Sequence, residues 1–403
     1  MTFKTLLTQS AKASATELAN ELTAPLKQAG ASVRGGIVYC AVGTPIEPLQ
    51  SALRRALGKI PFVGCTSCLG VGASGHLLGR SGPAAAALWL LGDEVRFGTA
   101  LLAAPSGLGE RAGTQLLRSA LSAAGIGASA ASFALFHSTP GGEEAMLRGV
   151  AKELPAGVPV IGGTAADDDL SGKWALFTEK GAATKGGALA ICHWPGRLAT
   201  AYRGGYLPVG MKGKVTRAAG RVLQEIDGRP AAVVYNEWTH GAISAQIQDG
   251  GPILRESTLR PLGIPRGRLG SLDLHVLAHP DRVAVPDRSL HLFTEVKEGE
   301  IVHLMGSSPT ALVARGSQVV QEALRRSTVS LGEIDAALMI YCAGCLLAIA
   351  DKAEQMLASF GQATRRVPSL SAFTFGEVGC VVPDRIDHGN LMCCVLLLSS
   401  IPA

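Results

Sequence analysis

Charged residues make up only 17% of this 403-residue chain, and aromatic residues only 5%. The first figure excludes a disordered or strongly solvated polypeptide, which needs high charge and low hydrophobicity. The second means that the core is built from Ala, Val, Ile and Leu. Net charge is slight too: 37 basic against 32 acidic residues leave +5. No Lys/Arg cluster with interleaved aromatics occurs, so no nucleic-acid partner is expected. Long apolar runs are also missing. The longest, such as residues 83–91 and 391–398, fall far short of the roughly 20 residues that span a bilayer. They have the length of buried strands, and no membrane partner is expected. Residues 1–25 lack a charged segment followed by a continuous apolar one, so they do not read as an export signal. Leu6, Leu7, Ala11, Leu18 and Leu22 follow a helical stripe there instead.

What the chain has in plenty is small and apolar residues: 47% hydrophobic, with 50 glycines. Its length suggests two domains. Nine cysteines without an export signal point to a reduced, cytoplasmic setting, where thiols are core, catalytic or metal residues rather than staples.

An internal repetition organises the sequence. Four apolar runs end in a polar or thiol residue before a turn: Gly36-Ile-Val-Tyr-Cys40, Phe133-Ala-Leu-Phe-His137, Ala232-Val-Val-Tyr-Asn236 and Leu338-Met-Ile-Tyr-Cys342. Their ends recur about every 100 residues. After three of them comes a helical segment, at 46–57, 143–154 and 346–360. Each helix leads to a strand that opens on an aliphatic residue and proline, at Pro61, Pro159 and Pro368. Small polar stretches follow at 65–70, 163–167 and 372–377, and an apolar strand closes each unit. The third region departs from this pattern, and residues 272–279, 290–295 and 301–305 read as an antiparallel meander. Helices are expected at 107–124, 217–226 and 309–326. The fold class is therefore α/β, in two related halves built from repeated β-α-β-β units with mixed sheets. A boundary is expected near residues 196–214.

Several short motifs, in order, resemble the FIST proteins, bacterial sensory proteins with a FIST N and a FIST C domain. They are Val63-Gly-Cys-Thr-Ser67, Val160-Ile-Gly-Gly-Thr-Ala-Ala-Asp-Asp168, Thr216-Arg-Ala-Ala-Gly220 with Asp227-Gly-Arg-Pro-Ala231, Tyr341-Cys-Ala-Gly344 and Ala372-Phe-Thr-Phe-Gly-Glu-Val-Gly379. The resemblance implies a FIST N-like domain over 1–200 and a FIST C-like domain over 201–403. It also implies a small-ligand sensor acting on a signalling partner in trans, such as a histidine kinase. Some stand-alone members resemble haem-binding nitric-oxide sensors, which makes haem a cofactor to test. Two positions depart from the family pattern: Cys345 stands where an arginine is common, and Cys380 is an added thiol.

The residues themselves leave several chemistries open. Cys65-x-x-Cys68 and Cys342-x-x-Cys345 have the spacing with which two thiolates grip one metal. If the halves face each other, a four-thiolate site could hold zinc or an iron–sulfur cluster, with Cys380 nearby. Either pair could instead be a redox dithiol, and the alternative to a sensor is a metal- or cysteine-dependent enzyme using these pairs, with Cys65 or Cys342 beside a histidine as an acyl-transfer nucleophile. His137, at a strand end, is the candidate proximal ligand for haem; His240, His275, His279 and His388 lie in loop-like or strand-edge contexts. Gly162, Gly163 and Thr164 follow a strand and could form a backbone nest for an anion. Asp167 either anchors an ammonium group or caps a turn. Phe375, Gly376 and Glu377 complete the candidate ligand set, with Glu377 expected either to pair with a cation or to hold its proton tightly.

Overall fold

The structure is a computed structural model that describes residues 3–29, 32–103, 108–270, 272–382 and 384–403. The repeating unit proves longer than the motifs suggested, gaining a strand and a helix at its front. The first unit runs β1 (Lys4–Ser10), α1 (Ala15–Thr23), β2 (Val33–Ala41), α2 (Ile46–Leu57), β3 (Phe62–Ser67), a hairpin of β4 (Val71–Ala73) and β5 (His76–Leu78), then β6 (Ala85–Leu91). The second repeats it as β7 (Arg96–Ala103), α3 (Glu110–Ala124), β8 (Phe133–Ser138), α4 (Glu143–Ala151), β9 (Val160–Thr164), hairpin β10 (Leu176–Thr178) and β11 (Gly181–Ala183), and β12 (Gly186–His193).

A third unit opens with β13 (Gly196–Arg203) and is interrupted by the meander. That insert comprises β14 (Leu207–Ala219), β15 (Val222–Ile226), β16 (Arg229–Pro230), α5 (Ala231–Trp238), α6 (Ser244–Asp249), β17 (Gly251–Pro252) and α7 (Leu254–Ser257). Its remaining strands are β18 (Leu262–Leu269), β19 (Leu272–Ala278), β20 (Pro280–Ala284), β21 (Ser289–Leu292) and β22 (Ile301–Gly306). The unit resumes with α8 (Pro309–Arg325), β23 (Ala336–Cys342), α9 (Ala343–Ala348), α10 (Ala353–Ala363), β24 (Ser369–Thr374), hairpin β25 (Glu377–Gly379) and β26 (Asp387–Gly389), and β27 (Cys393–Pro402). The unit thus occurs twice in the first half and once in the second, where the meander accompanies it. The chain is α/β with mixed sheets, and its halves are related.

Within each unit the order is the same: the first strand, the last, then the parallel pair, as in β1-β6-β2-β3. Parallel neighbours need a crossover helix, and α2, α4 and the α9–α10 stretch supply it. Because helices or other sheets cover both faces, the strands read as continuous apolar runs rather than alternating ones. The amphipathic α2 buries Leu49, Leu53 and Leu57 with Val38, Phe62 and Trp89. A larger central cluster takes the opposite faces of all three sheets, including Ile37, Leu135 and Leu338.

The hairpins do not stay with their own units. The hairpin β4–β5 extends the third unit's sheet beside β24, β10–β11 joins β3 of the first, and β25–β26 joins β9 of the second. Three units are tied in a ring by this exchange. The meander forms a separate antiparallel sheet, β17-β20-β21-β15-β14-β22-β18-β19 with β16 on β15, over its own core of Val215, Leu223, Tyr235, Ile264 and Leu304.

Several expectations need correction. Ala232–Asn236 is helix, not strand: Pro230 starts it, and Ala231, Ala232, Val234 and Tyr235 bury one face. Residues 217–226 form a hairpin, with Gly220 at φ +60° in its turn. The N-terminal stripe divides into β1 and α1, and the long helix expected at 346–360 breaks between α9 and α10. Of the helix expected from residue 107, Gly107 lies outside the described residues, and α3 begins at Glu110.

Candidate functional site

The loops that follow β3, β9 and β24 meet one another. Strand register gives their correspondence: Cys40 pairs with Thr66, Ser138 with Thr164 and Cys342 with Thr374. His137 therefore ranks with Tyr39 and Tyr341, not with Cys40 and Cys342 as its place in the motif suggested. A shift of one residue sends a side chain to the other face. Backbone bonds close the loops on each other: Ala166 N to Thr66 O at 3.2 Å, Cys68 N to Phe373 O at 3.0 Å, and Thr164 N to Gly376 O at 2.8 Å.

This closure brings six candidate ligand residues together. Gly163 and Gly162 face Glu377 and Val378 across the β9–β25 ladder, and Phe375 N donates to Thr164 O at 3.1 Å. It also fills the expected anion nest with protein. Thr164 N is taken by Gly376, and a Cβ on Gly163 would lie 2.5 Å from Thr374 Oγ1. Asp167 stands apart. Its carboxylate accepts from the backbone of Leu170, Gly172 and Lys173 at 2.7, 2.7 and 2.8 Å, so it caps its own loop.

Among the described residues, no three Cys, His, Asp or Glu are grouped to hold a metal. The joint four-thiolate site is not formed, because Cys65, Cys68, Cys380 and the Cys342–Cys345 pair have different surroundings. Cys65 lies 3.7 Å from His137 Nδ1. Cys68 neighbours Asp168, and Cys342 and Cys345 sit together. Cys380 lines a groove near Arg326. Burial pushes the Cys65 and Cys68 thiols up, which makes them poor nucleophiles. His137 does not fit haem iron. It is fully buried, with Nδ1 2.9 Å from Gly163 O and Nε2 3.0 Å from Tyr39 Oη, so both ring nitrogens are engaged.

The Cys342–Cys345 pair has a different setting. Cys342 ends β23 and Cys345 lies in α9; both are buried. Arg315, on the apolar face of α8, projects into the same region without solvent exposure. Its Nη1 donates to Gly204 O and Leu391 O, each at 2.6 Å, while Nε and Nη2 lack conventional partners. The guanidinium stacks 4.2 Å from the Tyr341 ring centre. Among the described residues no carboxylate pairs with it. Tyr206 Oη reaches Cys345 Sγ at 3.4 Å. Burial alone would raise the Cys345 thiol, but the Cys342 hydrogen bond, the Arg315 charge and Tyr206 outweigh it and pull it down to about 6.

Glu377 belongs to this cluster from the other side. Its Oε2 accepts from Met392 N and its Oε1 from Thr374 Oγ1, each at 2.9 Å. Burial, together with the neighbouring Cys345 charge, still pushes its carboxyl well above the usual range. So the structure joins Cys342, Cys345 and Glu377, which the sequence had marked separately, and adds Arg315, Tyr206 and Tyr341, which it had not. The available signal for Arg315 was a lone arginine among Leu312, Val313, Gly316, Val319 and Val320 on one helix face.

A groove of about 360 Å³ opens between the second and third units, beside the segment that follows β25. Leu154, Leu198 and Ile386 give it apolar walls, and Arg326, Asp384 and Cys380 its polar groups.

The protein belongs to the FIST family, since a FIST N domain matches residues 35–229 and a FIST C domain residues 231–380. FIST domains are small-ligand sensor domains of signal-transduction proteins. No curated protein matches the sequence. Among solved structures, a cyanuric acid hydrolase from A. caulinodans is similar over 99% of this chain and 100% of its own, at 11% identity and a TM-score of 0.40. A second cyanuric acid hydrolase structure covers the same shares at 9% identity and 0.36. Values this low carry no argument about fold or activity. No helix among the described residues is long and apolar enough to cross a membrane.

Proposed function

We propose that this protein senses a small zwitterionic metabolite, of the amino-acid class, in the groove beside Cys380, and passes its state to a signalling partner in trans, such as a histidine kinase. The observation that carries this reading is the groove's composition. Apolar walls contributed by two units surround one cation, Arg326, and one anion, Asp384. That pairing suits a carboxylate and an ammonium group presented by one ligand, and the volume lies within the usual range for small-molecule sites, roughly 300–1,000 Å³. Cys380 follows directly on β25, so a ligand there would press on the strand that joins the third unit to the second.

Calorimetric titration of the purified chain with the common amino acids tests this. Binding should weaken about 10-fold or more in Arg326→Met and in Asp384→Asn, as expected for the loss of one charged contact. If no amino acid binds, or if both variants bind as well as the parent, the reading fails. Haem-based nitric-oxide sensing has no support from His137; a Soret band that shifts with nitric oxide would reinstate it.

A further inference from the structure

Cys342 and Cys345 stand apart from the other seven thiols in what surrounds them. A buried guanidinium is costly unless an anion compensates it. Arg315 has two donors without conventional partners and no carboxylate ion pair, and it lies in the field of Cys345. The groups that face Cys345 are Cys342 from β23, Arg315 from α8, Tyr206 from the β13–β14 connection, and Tyr341, Cys393 and Glu377 from β23, β27 and β25. The single cation among them is Arg315. Glu377, hydrogen-bonded through both oxygens, is the only carboxyl.

We propose that Cys345 and Cys342 form a peroxide-responsive dithiol, in which Cys345, beside the buried Arg315 guanidinium and Tyr206, attacks a hydroperoxide and Cys342 resolves the product into a disulfide. In the first step an S–O bond forms on Cys345 and the O–O bond breaks. With hydrogen peroxide, the departing hydroxide takes the Glu377 proton and leaves as water. In the second step the Cys342 sulfur attacks Cys345, the S–O bond breaks, and the Cys342 proton leaves with the hydroxide as a second water. Thiolate, thiol, peroxide and carboxylic acid thus become disulfide, two waters and carboxylate. Two sulfurs are oxidised and the peroxide is reduced. The negative charge moves from Cys345 to Glu377, which becomes the counter-ion of Arg315.

Burial selects the oxidant. With Cys345 fully enclosed and Cys342 3% exposed, a protein disulfide could not approach, and the oxidant must be small and uncharged. The transfer also carries information, because Glu377 sits on the strand that pairs with β9 of the first half. This site is separate from the Cys380 groove, so its test needs no amino-acid ligand.

The experiment uses the full chain, reduced and then freed of reductant, exposed to hydrogen peroxide, quenched by alkylation and mapped by mass spectrometry. The Cys342–Cys345 disulfide should form first, about 10-fold or more ahead of oxidation at Cys393 and Cys394, which burial keeps as thiols. In Cys342→Ser, dimedone should trap sulfenic acid on Cys345; Arg315→Met should slow the reaction by a similar factor. Should Arg315→Met fail to fold, ultraviolet thiolate absorbance of the unaltered protein decides: one thiolate should titrate in mildly acidic solution and vanish in Cys345→Ser. The proposal is overturned if Cys345 oxidises no faster than Cys393 and Cys394, if the disulfide joins other cysteines, or if that thiolate is absent.

Discussion

Tyr39 and His137 stand at the same rank of two related strands, and their side chains meet with Oη 3.0 Å from Nε2. Since Nδ1 lies 2.9 Å from Gly163 O, it carries the proton, and Tyr39 donates to Nε2. Tyr39→Phe would leave that buried nitrogen unpaired. A loss of about 1–3 kcal/mol in urea unfolding is expected.

The same histidine makes stability depend on acidity. Burial holds His137 at about 4 against 6.5 in the open chain, and it holds His279 at about 4 as well. Between these values the unfolded chain binds more protons, so the two histidines favour the fold fully above about pH 6.5. That contribution is lost as the pH falls toward 4, to the extent of about 2–3 kcal/mol for each group. Unfolding free energies measured from pH 7 to 4 should fall with this sign. His137→Asn should flatten the slope while lowering the plateau.

Arg221 fastens the meander to the second unit. From the β14–β15 turn its Nη2 reaches Glu143 Oε2 at 2.6 Å and Glu144 Oε2 at 2.7 Å. Arg221→Ala leaves two largely buried carboxylates without their cation, at a cost of about 2–4 kcal/mol. Hydrogen exchange should accelerate in the β14–β15 hairpin and at the start of α4. Unchanged exchange there would show that the remaining contacts, among them Arg148 Nη1 to Glu295 Oε2 at 2.8 Å and Thr294 Oγ1 to Glu144 Oε1 at 3.0 Å, hold the insert without Arg221.

Gly162 has φ +142°, and a Cβ on it would fall 1.8 Å from Phe136 O. Gly162→Ala must therefore push β9 away from β8, and a loss of more than about 3 kcal/mol, or insoluble protein, is expected. Gly172, with open space around its Cβ direction but φ +89°, should tolerate alanine better, losing about 1 kcal/mol from backbone strain alone. Thermal unfolding of the two variants makes the comparison.

The strands are readable because they are buried on both faces, and a run such as Phe133-Ala-Leu-Phe136 then has no polar interruption to obscure it. The same logic misread residues 232–236. Two valines and a tyrosine look like a strand until Pro230 and the buried positions of one helical face are set beside them. Residues 217–226 failed for the complementary reason, since Leu223 and Ile226 fit a helical spacing although Gly220 turns the chain back on itself. At the site, Glu377 stood out through its apolar flanks, and the thiol pairs through their spacing. Their division between separate neighbourhoods depends on which strands pair across a hundred residues or more, and nothing local encodes that. The rank of His137 is fixed only by its ladder partner Gly163, and the sequence around the strand end does not show that pairing.

The exchange of hairpins around the ring forbids a clean cut between the halves. A fragment ending near residue 200 would keep β9 but lose the β25–β26 hairpin that covers its edge, and its β4–β5 hairpin would have no β24 to join. The complementary fragment would carry β24 with a bare edge and a β25–β26 hairpin without a home. Exposed strand edges of this kind pair with other chains, so either piece should aggregate. Each half completes the other's sheets, and an event at one junction is therefore felt by the whole chain at once.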